Sequence, residues 1–100
     1  LFIIPFVKKL LNVIITHMLL EFYGKECGHC KKMDSLLERL EQELGVKVQR
    51  LEVWHDETNE KKWADEARGI CMGVPFFVNT NNQKTICGEA SYEELKDWAI

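Results

Sequence analysis

Apolar and polar residues form blocks along this chain that predict strands and helices in alternation. Residues 18–23 are nearly all apolar, which is the pattern of a strand buried on both faces. Apolar residues then recur at helical spacing over 31–44, and Gly45 follows as a helix stop. Alternating apolar residues over 46–53 predict a second strand, and the spacing over 57–70 predicts a second helix.

The last third of the chain predicts a hairpin followed by a helix. Two short apolar stretches, 75–78 and 84–87, flank the turn-rich segment 79–83. Ser91, followed three residues later by Glu94, forms a capping box that opens a final amphipathic helix. The predicted order is therefore strand, helix, strand, helix, strand, strand, helix, which indicates the α/β class with a central mixed sheet flanked by helices.

Residues 1–17 combine apolar stretches with an interruption at Lys8-Lys9. A helix entered at Pro5 after a short strand is one interpretation, since proline suits the first helical position. His17-Met18 also resembles a cloning junction, which would make residues 1–17 partly foreign. No uninterrupted apolar run approaches the roughly 18 residues of a membrane span, so we expect none in this chain.

Length and composition indicate a single domain over residues 1–100, with its core in 18–100. The chain has 100 residues, 46% hydrophobic and 29% charged, as an ordinary globular domain has. A net charge of −3 without a basic stripe gives no support for nucleic-acid binding. We expect a monomer, and both an oxidising compartment and the cytoplasm fit the composition.

The motif Cys27-Gly28-His29-Cys30 lies at the predicted junction between the first strand and the first helix. Two cysteines at this spacing close a small disulfide, and the free N–H groups and positive dipole of the helix start favour a thiolate on the first. The motif therefore predicts a redox-active pair. Because Cys-x-x-Cys is also half of a zinc knuckle, a metal or iron–sulfur module is the alternative.

These features together resemble the thioredoxin superfamily over about residues 18–100. The resemblance rests on the element order, on the position of the cysteine motif, on Gly73-Val74-Pro75 before the hairpin, and on Gly88 at its end. With Glu21-Phe22-Tyr23 ahead of Cys-Gly-His-Cys, the chain is most similar to catalytic domains of protein disulfide isomerase. It departs from the family pattern at Glu26, where an aromatic residue is usual, and at Gly24-Lys25, where the isomerases carry Ala-Pro.

The position of each motif residue indicates its role. We expect Cys27 to be the nucleophile, because it lies at the helix start with a lowered thiol pKa, and Cys30 to be the more buried resolving thiol. His29 is either a charge partner of the Cys27 thiolate or an exposed loop histidine. Gly28 allows a tight turn and leaves the Cys27 sulfur approachable.

Glu21 interrupts the apolar run of the first predicted strand. A carboxylate buried there has a raised pKa, and it would accept the proton of Cys30 while that thiol attacks the mixed disulfide. The alternative is a glutamate that faces the edge of the sheet. Arg50 on the next strand would bias the protonation equilibrium of Glu21 if its side chain turns inward, although an arginine between Gln49 and Leu51 is more often simply solvated.

The resemblance implies a thioredoxin fold and the activity of a thiol–disulfide oxidoreductase on protein thiols or disulfides, supported by an upstream redox partner. It implies no cofactor and no metal, since the reactive pair belongs to the chain. It also implies a cis bond before Pro75, with Val74, Pro75, Gly88 and Gly28 beside the bound substrate. A non-catalytic peptide-binding domain of the same fold is a further alternative.

Cys71 and Cys87 do not complete a second Cys-x-x-Cys motif. We expect both to be small buried hydrophobic residues, with a regulatory thiol at Cys87, near the peptide groove, as the alternative. His55 and the tryptophans are interpreted as structural.

Overall fold

The computed structural model describes residues 19–100. The elements are strands β1 (Leu19–Tyr23), β2 (Val48–Glu52), β3 (Phe76–Asn79) and β4 (Thr85–Cys87), and helices α1 (Gly28–Leu44), α2 (Glu57–Glu66) and α3 (Tyr92–Ala99). Their order is the one that the sequence predicted, and the interpretations of residues 1–17 and of Met18 lie outside the described residues. Between residues 19 and 100, none of the helices combines the length and the apolar character that crossing a membrane requires.

The four strands form one mixed sheet in the order β2-β1-β3-β4. Strand β1 pairs in parallel with β2 and antiparallel with β3, and β4 pairs antiparallel with β3. Apolar layers cover both faces of the sheet at the inner strand β1, and this explains its nearly continuous apolar sequence.

The two faces of the sheet carry separate apolar layers. Leu19 packs in the layer beneath α1 and α3, whereas Leu20 and Phe22 pack in the layer beneath α2. Successive side chains of a strand point to opposite faces, so Glu21 shares the face of Leu19 and points towards α1. The α1 and α3 layer contains Leu19, Met33, Leu37, Leu40, Val48, Phe77, Ala90, Tyr92, Leu95 and Trp98.

Helix α1 begins at Gly28, three residues before the predicted start at Lys31. Its N-cap is Cys27, whose side chain accepts the N–H of Cys30. The apolar periodicity missed the first turn because Gly28 and His29 are exposed. At the other end Gly45 has φ 65°, a left-handed conformation that favours glycine, so the predicted stop is confirmed.

Helix α2 ends at Glu66, earlier than the predicted Ile70. The chain leaves the helix through Ala67 and a left-handed Gly69, with φ 67°, and Ile70 is 58% exposed. Ile70 therefore does not continue the buried face that its spacing indicated. At α3 the predicted capping box is present, because the Ser91 hydroxyl accepts the Glu94 N–H at 3.1 Å and the Glu94 carboxylate accepts the Ser91 N–H at 2.9 Å.

Candidate active site

Cys27 and Cys30 form a disulfide at the start of α1, with their Cα atoms 5.3 Å apart. Both residues are buried, Cys27 at 5% exposed and Cys30 at 2%. The Cys30 N–H donates to the Cys27 sulfur at 3.1 Å, so a free N–H of the first helical turn points at this sulfur. In the reduced protein the same N–H and the helix dipole favour a thiolate on Cys27.

The segment before β3 runs beside Cys27. The Val74–Pro75 peptide bond is cis, and the Val74 carbonyl oxygen lies 3.8 Å from the Cys27 sulfur. The Gly88 N–H donates to the Pro75 carbonyl at 2.8 Å, and Gly88 has φ 93°, a conformation that a residue with a side chain rarely adopts. The structure thus brings Val74, Pro75 and Gly88 together at the end of the sheet where the motif follows β1.

A surface groove of about 430 Å³ surrounds Cys27, and we call it the Cys27 groove. Its lining residues are Glu26, Cys27, Gly28, His29, Trp54, Trp63, Met72, Gly73 and Val74. Within it Trp54 is 51% exposed and Met72 is 92% exposed, so both present apolar surface to solvent.

Trp54, which was interpreted from the sequence as structural, lines the groove. Trp54 follows the carboxyl end of β2, and the cysteine motif follows the carboxyl end of β1. Parallel neighbouring strands end at the same edge of a sheet, so this adjacency was available as a signal in the sequence. A Cβ atom at Gly24 would overlap the Trp54 indole. Glycine at this departure from the family pattern therefore makes room for Trp54.

His55 is also linked to the motif, through Glu26 and Glu52. Its Nε2 atom lies 3.3 Å from the carboxylate of Glu26, directly before Cys27, so this residue, interpreted from the sequence as structural, contacts the segment that leads into the motif. The Glu52 carboxylate accepts the N–H groups of Lys25 at 2.9 Å and of His55 at 2.8 Å. Burial alone would raise the pKa of Glu52, but these and neighbouring hydrogen bonds lower it to about 2. The loop that precedes Cys27 is thereby fixed to the end of β2.

His29 points to a partner outside the motif. Its side chain is 70% exposed, and its Nδ1 atom pairs with the Glu89 carboxylate. Lys32 lies 3.9 Å from the same carboxylate. The hydrogen bond from His29 lowers the pKa of Glu89 below its ordinary value. This contact joins the first turn of α1 to the segment after β4.

Glu21 lies buried, at 1% exposed, as the strand pattern predicted. Burial raises the pKa of its carboxyl group to about 8, although Arg50 opposes the rise and Asp34 adds to it. Arg50 is turned towards Glu21 and is not simply solvated, with Nε 3.9 Å from Glu21 Oε1 and a terminal nitrogen 3.6 Å from the Asp34 carboxylate.

A cavity of about 210 Å³ joins Glu21 to the motif. Its lining includes Glu21, Cys30, Asp34 and Arg50. This volume is several times the roughly 30 Å³ that one water molecule occupies in the liquid, and the lining is polar enough to hold water. The arrangement therefore supports proton exchange between the Glu21 carboxyl and the Cys30 thiol through water.

Cys71 and Cys87 form a second disulfide, with Cα atoms 5.5 Å apart, which corrects the prediction of two separate buried thiols. Cys71 is 4% exposed and packs in the α2 layer, but Cys87 is exposed at the end of β4. The reason is the hairpin, which returns Cys87 to a position opposite Phe76, close to where the chain enters β3. An even number of cysteines flanking a predicted hairpin was the signal for this pairing.

The sequence left a metal or iron–sulfur module as an alternative. Within residues 19–100, no group of three or more His, Cys, Asp or Glu side chains is placed to hold a metal ion. Nothing in this part of the chain favours the metal alternative over a dithiol site.

Comparison with known proteins identifies the family. The thioredoxin family profile matches residues 5–100, whereas no curated protein matches the chain significantly. A thioredoxin from Fasciola hepatica is 20% identical, with a TM-score of 0.63 over 91% of this chain and 86% of that one. A mutant thioredoxin from Halobacterium salinarum is 25% identical, with a TM-score of 0.62 over 87% of this chain and 77% of that one. Oxidised mitochondrial thioredoxin 3 from Saccharomyces cerevisiae is 26% identical, with a TM-score of 0.59 over 91% and 85%. The predicted thioredoxin fold is confirmed, and the chain belongs to the thioredoxin family.

Proposed function

We propose that this chain is a thiol–disulfide oxidoreductase that exchanges disulfides with protein substrates through Cys27 and Cys30. The observation that carries the proposal is the Cys27–Cys30 disulfide at the start of α1, beside the Val74 carbonyl, in a chain of the thioredoxin family. The family and the paired cysteines support the reaction class, and the Cys27 groove supports a protein substrate.

The first step of substrate reduction is attack by Cys27. Its thiolate attacks one sulfur of the substrate disulfide, that bond breaks, and the first substrate thiolate leaves as a mixed disulfide forms on Cys27. The N–H of Cys30 and the helix dipole stabilise the attacking thiolate. At 5% exposed, Cys27 is the more accessible of the two sulfur-bearing residues.

In the second step Cys30 resolves the mixed disulfide. The Cys30 thiol gives its proton to Glu21, its thiolate attacks the Cys27 sulfur, and the second substrate thiolate leaves. The pKa of Glu21, about 8, lies close to the pKa of roughly 8.5 of an ordinary thiol. The proton of Cys30 therefore moves between two groups of similar proton affinity. The substrate gains two electrons and the Cys27–Cys30 disulfide is restored. Substrate oxidation is the reverse sequence.

The walls of the Cys27 groove suit an extended peptide. On one side, Val74 offers its backbone for pairing and is held by the contact from Gly88 to Pro75. On the other side, Trp54 offers half-exposed aromatic surface. Gly28, where an added Cβ would meet no atom within 4 Å, leaves the approach to the Cys27 sulfur open.

The charge of His29 would affect the reduction potential of the Cys27–Cys30 disulfide, and with it the direction of electron flow. As a cation near Cys27 it would stabilise the thiolate and make the disulfide more oxidising, as the resemblance to protein disulfide isomerase implies. A reduction potential near about −180 mV in glutathione buffers supports an oxidase or isomerase, and one near about −270 mV supports a reductase. His29→Ala should shift the potential towards the more reducing value.

Turnover of insulin disulfides with a dithiol reductant tests the proposed function. We expect the parent to accelerate insulin reduction and Cys27→Ser to abolish the acceleration, because serine forms no mixed disulfide. Arg68→Ala, at an exposed position outside the groove, serves as the control and should retain parental turnover. A parent without turnover on protein disulfides would instead support the non-catalytic peptide-binding domain.

A further inference from the structure

The Cys71–Cys87 disulfide takes no part in the exchange reaction described above. Its two ends differ in access, since Cys71 is 4% exposed and packs in the α2 layer, whereas Cys87 is exposed on the edge strand β4. Cys87, the more exposed residue of the pair, is therefore the expected point of attack by an incoming thiol. Accessible disulfides exchange most readily, because the attacking thiolate must be able to reach the sulfur atom.

Each end of this disulfide lies next to a residue that contacts the Cys27–Cys30 motif. Three residues beyond Cys71 the chain reaches Val74, whose carbonyl lies 3.8 Å from the Cys27 sulfur. Two residues beyond Cys87 it reaches Glu89, whose carboxylate pairs with His29. The disulfide covalently links the starts of these two segments. It therefore constrains both the contact of Val74 with Cys27 and the contact of Glu89 with His29.

We propose that Cys71–Cys87 is a second thiol–disulfide site, reduced by a small thiol such as glutathione or by a protein dithiol, and that its state regulates substrate binding at Cys27. The regulatory part rests on the proposed function. In the oxidised state the disulfide holds the Val74 segment, which lines the Cys27 groove, to the Glu89 segment, which contacts His29 of the groove lining. In the reduced state each segment is held by its noncovalent contacts alone.

Reduction of the second site takes two successive thiol–disulfide exchanges. A thiolate attacks the Cys87 sulfur, the disulfide breaks, and Cys71 leaves as a thiolate that takes a proton. A second equivalent of thiol then attacks the mixed disulfide on Cys87, which releases the external disulfide and leaves two protein thiols. The protein pair gains two electrons, and the two external thiols lose them.

Reduction at this site should loosen the groove and leave the fold in place. Segment 72–74 lies between the buried Cys71 and the cis Pro75, and its remaining anchor near Cys87 is the hydrogen bond from Gly88 to Pro75. Strands β3 and β4 keep their ladder of paired residues. We therefore expect a change in substrate affinity, with the chemical step at Cys27 retained.

The first test maps the reactive sulfur in the Cys27→Ser/Cys30→Ser variant, in which Cys71–Cys87 is the only cysteine pair of the chain. The folded oxidised variant is treated with reduced glutathione, quenched with acid, and mapped by mass spectrometry. We expect a glutathione adduct on Cys87 and a free thiol on Cys71. The same treatment in guanidinium removes the difference in access and should place adducts on both residues. An adduct mainly on Cys71, or no reaction without guanidinium, would overturn the second site.

The second test follows the Val74 segment without any substrate. In the same variant, amide hydrogen exchange at residues 72–74 is measured before and after reduction of Cys71–Cys87. We expect faster exchange at these residues after reduction and unchanged exchange in α1. Exchange that is the same in both states would overturn the coupling, whatever the activity of the protein.

The third test separates substrate affinity from chemistry. The Cys71→Ala/Cys87→Ala variant and the parent, both with Cys27–Cys30 oxidised, are mixed with a reduced dithiol peptide or with dithiothreitol. Because Cys71–Cys87 of the parent also reacts with thiols, the initial rate of reduction of Cys27–Cys30 alone is followed, by alkylation and mass spectrometry. We expect the half-saturating peptide concentration to rise at least about fivefold, the lower end of typical coupling between sites, with an unchanged rate for dithiothreitol. Equal peptide dependence in both proteins would overturn the regulation. A parent that oxidises dithiothreitol but no peptide would overturn the proposed function, and the first two tests would still decide the second site.

Discussion

Glu21 and Cys30 line the same cavity, although one lies on β1 and the other in the first turn of α1. The alternation of side chains along β1 turns Glu21 towards α1, and the first turn of that helix turns Cys30 back towards the sheet. A carboxyl group with a pKa of about 8 thus shares a cavity with the thiol that has to lose a proton during resolution.

Replacement of Glu21 by Gln should stabilise the fold by an amount that grows with pH. The pKa of Glu21 rises from its ordinary value of 4.5 to about 8 on folding, so the folded protein keeps this proton when the unfolded chain has lost it. Stability therefore falls as the pH rises through this window, by an amount on the order of 3–5 kcal/mol when ionisation is complete. Glu21→Gln should match the parent near pH 5 and exceed it near pH 9, measured by urea unfolding of the oxidised proteins.

The exposed Glu38 on α1 supplies the control for this stability measurement. Glu38→Gln removes a carboxylate from the surface and leaves the cavity unchanged. If Glu21→Gln and the parent differ by the same free energy at both pH values, then Glu21 does not carry the raised pKa.

The same replacement should slow resolution more than attack. Without a carboxylate, Cys30 loses its proton to bulk water, and a positioned base typically contributes about 10²–10⁴-fold to such a step. Acid quenching during insulin turnover should show mixed disulfide accumulating in Glu21→Gln. Alkylation of Cys27 in the reduced variant should proceed at close to the parental rate, because attack does not involve Glu21. Parental turnover with no accumulated intermediate would exclude the proton-transfer role.

Gly24→Ala should disturb Trp54 and destabilise the protein. A Cβ atom at Gly24 would overlap the indole, and crowding of this kind typically costs about 1–3 kcal/mol. The matched control is Gly28→Ala, where an added Cβ meets nothing within 4 Å. Urea unfolding of both variants should show the loss in Gly24→Ala alone.

Trp54→Ala supplies a further check on this explanation. Added to Gly24→Ala, it removes the ring that the new methyl group meets, so it should recover part of the lost stability. A double variant whose loss equals the sum of the two single losses would show that the two residues do not interact.

Much of the fold could be predicted from the sequence, because local patterns and buried faces agree. The period-2 and helical patterns predicted every element between residues 19 and 100, and Gly45 and the Ser91–Glu94 box gave correct helix ends. The errors in the predicted helix bounds lie where backbone geometry, and not the burial of apolar side chains, sets the end of the helix. The first turn of α1 shows no apolar periodicity, and the turn at Gly69 ended α2 before Ile70.

The candidate site was predicted less completely, because part of it comes from residues distant in sequence. Glu21 and the cysteine motif were identifiable locally, from a charge within an apolar run and from a spacing. Trp54 and His55 join the site only because β1 and β2 end at one edge of the sheet, and that contact is a property of the topology. The Cys71–Cys87 disulfide likewise depends on the register of the β3–β4 hairpin, which fixes where Cys87 returns.

Trapping of a mixed disulfide tests the central claim most directly. Cys30→Ser removes the resolving thiol and leaves the Cys27 nucleophile, so an intermediate with a substrate protein should persist. The variant is made in a Cys71→Ala/Cys87→Ala background, because the reduced second pair would also react, and it is reduced, freed of reductant, incubated with a disulfide-containing protein such as insulin, quenched with acid and mapped by mass spectrometry. The account predicts one covalent adduct, joined through Cys27, that is absent from Cys27→Ser and released by dithiothreitol. No adduct from this folded variant, or an adduct that Cys27→Ser in the same background also forms, would contradict it.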